Sequence, residues 1–307
     1  MTRVAVIGGG ENPEHDVSLA SAASVCSALR SHDRFEVVAL TIQRDGRWTD
    51  ARGARITLAE AVDELQRCGV VFPVVHGPRG EDGTLAALLD LAHVPYVGSG
   101  LRAGALAMDK VTTKLIAESV GVRTARAARG TFPAVVKPSA AGSSFGVARV
   151  DDESELTAAL EVARGFDDRV LVEEYIVGRE IDVAVVTRAD GSRMVSAPLE
   201  IVVSGAVFDS ETKYDGTADF RVPAALTPAQ QSDLERQALA VYDALGCSGV
   251  ARVDFFLTHN GFVLNEVNTV PGLTARSQVP RMFEATGIPY AELVADLVDA
   301  ALGRVLA

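Results

Sequence analysis

Asp254, Glu266 and Asn268 sit on two apolar runs that read as a hairpin. The stretch from Asp254 to Thr274 is DFFLTHNGFVLNEVNTVPGLT, and an Asn-Gly step between FFL and FVL signals a tight reversal. Alternation along a strand puts Glu266 and Asn268 on one face, where Asp254, at the start of the partner strand, can join them. Two carboxylates and an amide are hard oxygen donors. They suit Mg²⁺ with substrate phosphates completing the octahedron, whereas zinc would want Cys or His. A solvated sheet face is the plainer alternative. Arg252, on the same face as Asp254 in ARVDF, adds a cation able to neutralise phosphate.

A second group lies in VVKPSAAGSSFGV. Lys137 ends a buried strand, and Gly142, Ser143, Ser144 and Gly146 can expose backbone N–H groups to an anion. The order differs from a G-x-x-x-x-G-K-[ST] loop, because the lysine comes before the glycines; a plain turn is the alternative. In LVEEYIVGRE, alternation aims Glu173 and Tyr175 to one side, and Glu180 follows a glycine turn. Acids at a strand edge can accept from adenine N6 or ribose hydroxyls, or simply face water. IGGGENP fails the G-x-G-x-x-G pattern, since Pro13 replaces the third glycine and the second strand ends without an acid, so a nicotinamide enzyme is rejected. Glu14 and His15 precede a helix, where Glu14 is either a dipole-favoured acid or a partner for a substrate amine.

These groups need elements to position them. RVAVIGG, FEVVALTI and GVVFPVVHG read as strands, alternating with helical patterns in DVSLASAASVCSALR and LAEAVDELQRC; this predicts a parallel sheet with helices on both faces. The glycine-rich segments GGGENPEH and HGPRGEDG fall beyond strand ends, where such sheets bind ligands. From Gly98 a long helical pattern leads into two strands around the small-residue loop, then a helix (ESELTAALEVAR) and a strand (RVLVEEYI). From Gly178 come strands EIDVAVVT and MVSAPLEIVV, the polar loop FDSETKYDGTADFRVP, a helix, the hairpin and a terminal helix. The expected units are 1–97, an α/β substrate domain; 98–177, a small α+β domain; and 178–307, an α+β domain carrying the metal site.

The totals narrow the function classes. In 307 residues, 48% are hydrophobic, enough for a core in each unit. A net charge of -12 argues against nucleic acid or an anionic membrane as the main partner, though not against a locally bound phosphate. MTRVAVIGGG lacks the pattern of a secretory leader, and no apolar run reaches transmembrane length. The three cysteines, Cys26, Cys68 and Cys247, are far apart and odd in number, which fits neither a disulfide framework nor a zinc site. A reducing cytoplasm is the expected compartment.

Metal ligands, a lysine with a Gly/Ser loop and acidic nucleotide contacts on two units would sandwich ATP between two sheets. That arrangement resembles the ATP-grasp ligases. In order and spacing, GGGENPEHDVSL, VVHGPRGEDGTLAALLDLAHVPYVGSG, AMDKVTTK, VVKPSAAGSSFGV, GVARVDFFL and NEVNTVPGLTARSQVPRM are similar to the D-alanine:D-alanine ligase family over nearly the whole chain. The resemblance implies an ATP-dependent peptide ligation through an acyl phosphate, serving peptidoglycan precursors, with ATP and two Mg²⁺ (or Mn²⁺) and a homodimeric assembly. It implies that Glu14 holds the ammonium of the first D-amino acid, with His76 in the same wall. Lys110 and Lys137 would bind ATP phosphates, Glu173 and Glu180 the adenine and ribose ends, and Lys213 the transferring phosphate. Ser143 and Tyr214 would link with Glu14 to close a loop over the site. Asp254, Glu266 and Asn268 would hold the metals, Arg252 and the Gly272 N–H the oxyanion, and Ser277 the carboxylate of the second amino acid.

The chain departs from the family in three places. Ala141 stands where many members carry an acid, the stretch from GVRTARAARGT to FPAVVKP is shorter, and GGGENPEH lacks a Ser-Ala pair before its Glu-His. Relatives that make a D-alanyl-D-lactate ester usually replace the mobile Lys-Tyr, present here as Lys213–Tyr214, which favours an amine acceptor. D-Serine and a dipeptide ligase of secondary metabolism stay open. A non-catalytic nucleotide sensor is the competing class, and the retained Lys137, Arg252, Asp254, Glu266 and Asn268 argue against it.

Overall fold

In the computed structural model, which describes residues 1–202 and 219–304, the Val/Ile run near the start becomes β1 (Thr2–Gly9). Val4 through Ile7 have no exposed surface, as expected of a central parallel strand covered on both faces. β1 pairs in parallel with β2 (Phe35–Ile42) and β5 (Val70–Pro73). The predicted parallel sheet is thus present, with an addition. Two short antiparallel strands, β3 (Trp48–Thr49) and β4 (Arg55–Ile56), extend its edge in the order β4-β3-β2-β1-β5. Two-residue strands carry too little alternation to be read from sequence.

Helices cover both faces of this sheet. On one, α2 (Leu58–Gln66) and α3 (Thr84–Leu91) pack Ala61, Leu65, Leu85 and Leu89 against Ala5 and Ile7. α2 starts with a reciprocal capping box between Thr57 and Glu60. On the other face, α1 (His15–Arg30) sets Val25 and Leu29 against Val4 and Val6.

The long helical pattern after Gly98 is two helices, α4 (Leu101–Met108) and α5 (Lys110–Ser119). Asp109 breaks it: its backbone is extended and its side chain accepts from the Thr112 N–H at 3.1 Å, capping α5. A three-stranded antiparallel sheet follows in the order β7-β6-β8, from β6 (Ala134–Pro138), β7 (Ala148–Val150) and β8 (Val170–Glu174), backed by α6 (Glu153–Arg164).

A six-stranded sheet contains β9 (Arg179–Thr187), β10 (Arg193–Val195), β11 (Leu199–Val202), β12 (Asp219–Arg221), β13 (Val250–Thr258) and β14 (Gly261–Asn268). The segment MVSAPLEIVV, expected as one strand, is β10 and β11 separated at Ala197–Pro198, because proline cannot donate to a ladder. α7 (Pro228–Leu245) buries Leu234, Ala238, Val241, Tyr242 and Leu245 at helical spacing against this sheet, each large side chain contributing about 1.5–3 kcal/mol. The terminal helix is also two, α8 (Gln278–Glu284) and α9 (Tyr290–Gly303). Phe283, Leu293 and Leu297 from them join Val6 and Phe72 in one core, so α9 packs beside α1 on the same face of the first sheet.

Candidate functional site

The hairpin gathers the residues that alternation assigns to one face. β13 and β14 are antiparallel, with Arg252 opposite Asn268 and Asp254 opposite Glu266. The reversal itself is His259–Asn260, with Thr258 paired to Gly261, and Gly261 adopts φ +96°, which glycine alone takes up without cost. A register shift after Asp254 ends the regular ladder beside the charged cluster, a common place for a bulge.

Arg252 grips Asp254 with two parallel hydrogen bonds. Its Nε and Nη2 donate to Oδ1 and Oδ2, both at 2.7 Å, and Asn268 Nδ2 donates to Oδ2 at 3.0 Å. Burial works against the guanidinium charge, but Asp254, with Asp182 and Glu266 behind it, overrides burial and raises the Arg252 pKa. Glu266 Oε2 lies 3.2 Å from Lys110 Nζ, and that ammonium also donates to the Ala141 carbonyl at 2.8 Å.

Lys137, at the end of β6, is buried and pairs with Glu173 Oε2 at 2.7 Å. Lys114 of α5 meets the other carboxylate oxygen. Burial alone would raise the Glu173 pKa, and the two ammoniums instead hold it below the ordinary carboxylate value. Glu173, expected toward adenine or ribose, therefore spends both oxygens on lysines, while Glu174, Tyr175 and Ile176 continue the wall beside it.

Glu14 stands just before α1 and accepts a hydrogen bond from the Ser143 hydroxyl. The loop comes this close because residue 142 is glycine: a Cβ there would lie 2.8 Å from Glu14 Oε2. Ser143 and Ser144 both adopt left-handed backbone, φ +48° and +58°. Phe145 stacks on Phe166 with ring centroids 6.0 Å apart, anchoring the far end of the loop.

His76 is nearly sealed. Its Nδ1 is 2.7 Å from the Val270 carbonyl and its Nε2 3.1 Å from Ser21 Oγ; with Nδ1–H donating to the carbonyl, Nε2 accepts from the hydroxyl. Burial lowers its pKa, in spite of the opposing pull of Glu14, so the ring is neutral. Beyond β14 the turn brings Gly272 and Ser277 together, a Cβ on Gly272 falling 3.1 Å from Ser277 Oγ. Ser277 Oγ accepts from the Thr274 N–H at 3.1 Å. Lys213 and Tyr214 lie outside the described residues.

Two cavities meet across these groups. One, of about 420 Å³, is lined by Lys110, Lys137, Tyr175, Ile176, Phe256 and Leu264. The other, of about 720 Å³, is lined by Glu14, His76, Ser143, Arg252, Asp254 and Ser277. Glu180, Ile201 and Glu266 belong to both. A lysine-lined apolar slot thus opens, past two carboxylates, into a polar chamber. Among the described residues no three His, Cys, Asp or Glu side chains cluster as a metal cage. The donor set of Asp254, Glu266 and Asn268 instead fits a hard cation that takes its remaining ligands from phosphate oxygens.

Three further residues belong to the site, and sequence reasoning had not singled them out. Asp182 is fully buried in β9, in register with Asp254. Gln278, at the start of α8, accepts from Arg252 Nη1 at 2.6 Å. Glu81, from HGPRGEDG, accepts from the Gly77 N–H at 3.1 Å; burial, reinforced by Glu14 and Glu266, pushes it up to about 7. A second acid two residues after Glu180, inside the otherwise apolar run EIDVAVVT, was the available signal for Asp182.

The D-ala D-ala ligase N-terminus family matches residues 3–99, and the D-ala D-ala ligase C-terminus family matches residues 107–299. A D-alanine--D-alanine ligase of Mycobacterium sp. (strain KMS) is 41% identical over 360 aligned positions, covering 99% of this chain and 97% of the relative. That alignment is longer than the 307-residue chain, so the relative carries segments this chain lacks. Among solved structures, the VanG D-Ala:D-Ser ligase of Enterococcus faecalis has a TM-score of 0.86 at 30% identity, covering 98% of this chain and 99% of its own. The D-alanine--D-alanine ligase of Bacillus anthracis complexed with ATP has a TM-score of 0.83 at 27% identity, covering 99% and 98%.

Proposed function

The chain belongs to the D-alanine–D-alanine ligase family, and from that premise we propose that it joins two D-alanines into D-alanyl-D-alanine with ATP, for peptidoglycan precursor synthesis. The observation that carries this reading is the meeting of the two cavities at Glu180 and Glu266. A phosphoryl group carried in the lysine-lined slot would there face a substrate carboxylate in the polar chamber.

A carboxylate is a poor electrophile, and phosphorylation by ATP converts it to an acyl phosphate. Lys110 and Lys137 neutralise the phosphates, with Lys213 on the transferring group, and Glu173 holds Lys137 in place while the β8 edge and Glu180 receive adenine and ribose. Glu14 binds the ammonium of the first D-alanine, oriented by Ser143 and Tyr214 and backed by neutral His76. Asp254, Glu266 and Asn268 would hold two Mg²⁺ (or Mn²⁺), which supply charge neutralisation on the phosphates. The amine of the second D-alanine, its carboxylate at Ser277, attacks the carbonyl carbon. The oxyanion that forms is met by Arg252 and the Gly272 N–H, and collapse expels phosphate. Exclusion of water by the 140–147 loop protects the acyl phosphate.

The likeness to the VanG D-Ala:D-Ser ligase favours D-serine as the alternative second substrate. We further propose that the enzyme works in the cytoplasm as a homodimer, with units 1–97, 98–177 and 178–307. The test is ADP release with Mg²⁺-ATP and D-alanine alone, then with D-serine or D-lactate added, with products identified by mass. D-Alanyl-D-alanine from D-alanine alone is the expected result. Turnover only with a second substrate would make the enzyme a mixed-product ligase, and no ADP under any condition would overturn ligation.

A further inference from the structure

We infer that Gln278 and Asp182 are positioning residues, which together fix the guanidinium of Arg252 in the orientation that receives the oxyanion of the ligation step. The inference rests on the reading just given. Of the five N–H groups of Arg252, two are committed to Asp254 by the Nε and Nη2 bonds. Asp254 cannot fix the guanidinium unaided, because its carboxylate is shared with Asn268 and with the cation it would hold. A second anchor stands on the opposite edge: Gln278 Oε1 accepts from Arg252 Nη1 at 2.6 Å.

The Gln278 amide is itself held. Its Nε2 donates to Asp182 Oδ2 at 3.0 Å, and that oxygen lies 3.7 Å from Arg252 Nε. The two ends of the amide therefore have opposite demands, and both are met in one orientation only. A flipped amide would set its NH₂ against the guanidinium and its oxygen against the carboxylate. Asp182 has no exposed surface and sits on the central strand β9, so the relay starts from a rigid point. Among the described residues it leaves one N–H on each Nη of Arg252 for a ligand, and Gln278 lines the chamber next to Ser277. The relay touches neither Lys110 nor Lys137, so its loss should slow the chemical step and spare nucleotide binding.

The experiment compares three variants with wild type by steady-state kinetics, recording kcat, KM for ATP and KM for D-alanine. Gln278→Met keeps the length and removes the polar atoms. It should lower kcat about 10- to 100-fold, the range for a hydrogen bond to a charged group, with KM for ATP within twofold. Asp182→Asn, which removes the charge and allows the amide to rotate, should lower kcat in the same direction. The double variant Asp182→Asn with Gln278→Glu reverses the donor and acceptor between the two positions and keeps the net charge. It should return kcat to within about threefold of wild type, a rescue that a merely structural role would not produce. A folded Gln278→Met within twofold of wild type in kcat, or a double variant no better than Asp182→Asn, would overturn the inference. If Gln278→Met does not fold, Asp182→Asn against the double variant decides it. Wild type without ligase activity would instead remove the functional reading before any variant is compared.

Discussion

Replacing Glu173 with glutamine removes the one carboxylate that buried Lys137 and half-buried Lys114 share. Glu173 is 3% exposed and meets Lys137 at 2.7 Å on one oxygen and Lys114 on the other. Glutamine preserves shape and leaves two ammoniums facing a neutral amide. Lys137 keeps a weak alternative in Asn265, at 3.3 Å, and Lys114 keeps the Ala125 carbonyl at 2.5 Å. Breaking a buried pair from one side costs about 3–5 kcal/mol. The lower end applies here, since each lysine retains a partner, and about 3 kcal/mol is roughly a 10²-fold increase in local opening. Amide hydrogen exchange over β6 and β8 reads this directly. Folded-state Glu173 has a pKa below the ordinary 4.5, so its contribution is fully present above pH 4.5 and is lost as pH falls through the lower value. The difference between wild type and Glu173→Gln should therefore persist at neutral pH and shrink below about pH 4.5. A folded variant whose β6 and β8 protection changes less than threefold at pH 7 would refute the ion-pair argument.

Glu266→Gln should leave the fold intact and lower kcat by about 10²-fold or more, because it withdraws a charged oxygen at the junction of both cavities; near-normal turnover would remove Glu266 from the metal site. Gly142→Ala places a methyl 2.8 Å from Glu14 Oε2 and should raise KM for the first D-alanine by about tenfold, equivalent to about 1.4 kcal/mol, with an unchanged KM as the contrary result. Glu81 carries a folded-state pKa of about 7 against an ordinary 4.5. The native state thus holds this proton more tightly than the unfolded chain, and stability falls as pH rises between those values, by up to about 3 kcal/mol. Thermal unfolding of Glu81→Gln should lose less between pH 5 and pH 8 than wild type does, and parallel curves would contradict the assignment.

The hairpin was legible because period-two alternation fixes which side chains share a face, and Asp254, Glu266 and Asn268 needed nothing more. Alternation names a face without naming a partner, which is why Glu173 could be placed at the nucleotide end while its engagement by Lys114 and Lys137 went unread. Breaks inside apolar patterns were also hidden. Asp109 divides α4 from α5 through a cap, and Ala197–Pro198 divides β10 from β11, each a local backbone event inside an unbroken hydrophobic period. Gln278 and Asp182 lie 96 positions apart, and only the packing of α8 against β9 brings them to Arg252. The shared core of β1, β5 and α9 is likewise a long-range contact, invisible to a pass that reads units in order.

The central claim, activation of a D-alanine carboxylate as an acyl phosphate at the junction of the two cavities, is tested most directly with D-alanine carrying ¹⁸O in its carboxylate. Incubation with Mg²⁺-ATP should deliver one ¹⁸O into each inorganic phosphate released, in step with D-alanyl-D-alanine. Dipeptide formed with unlabelled phosphate would contradict it.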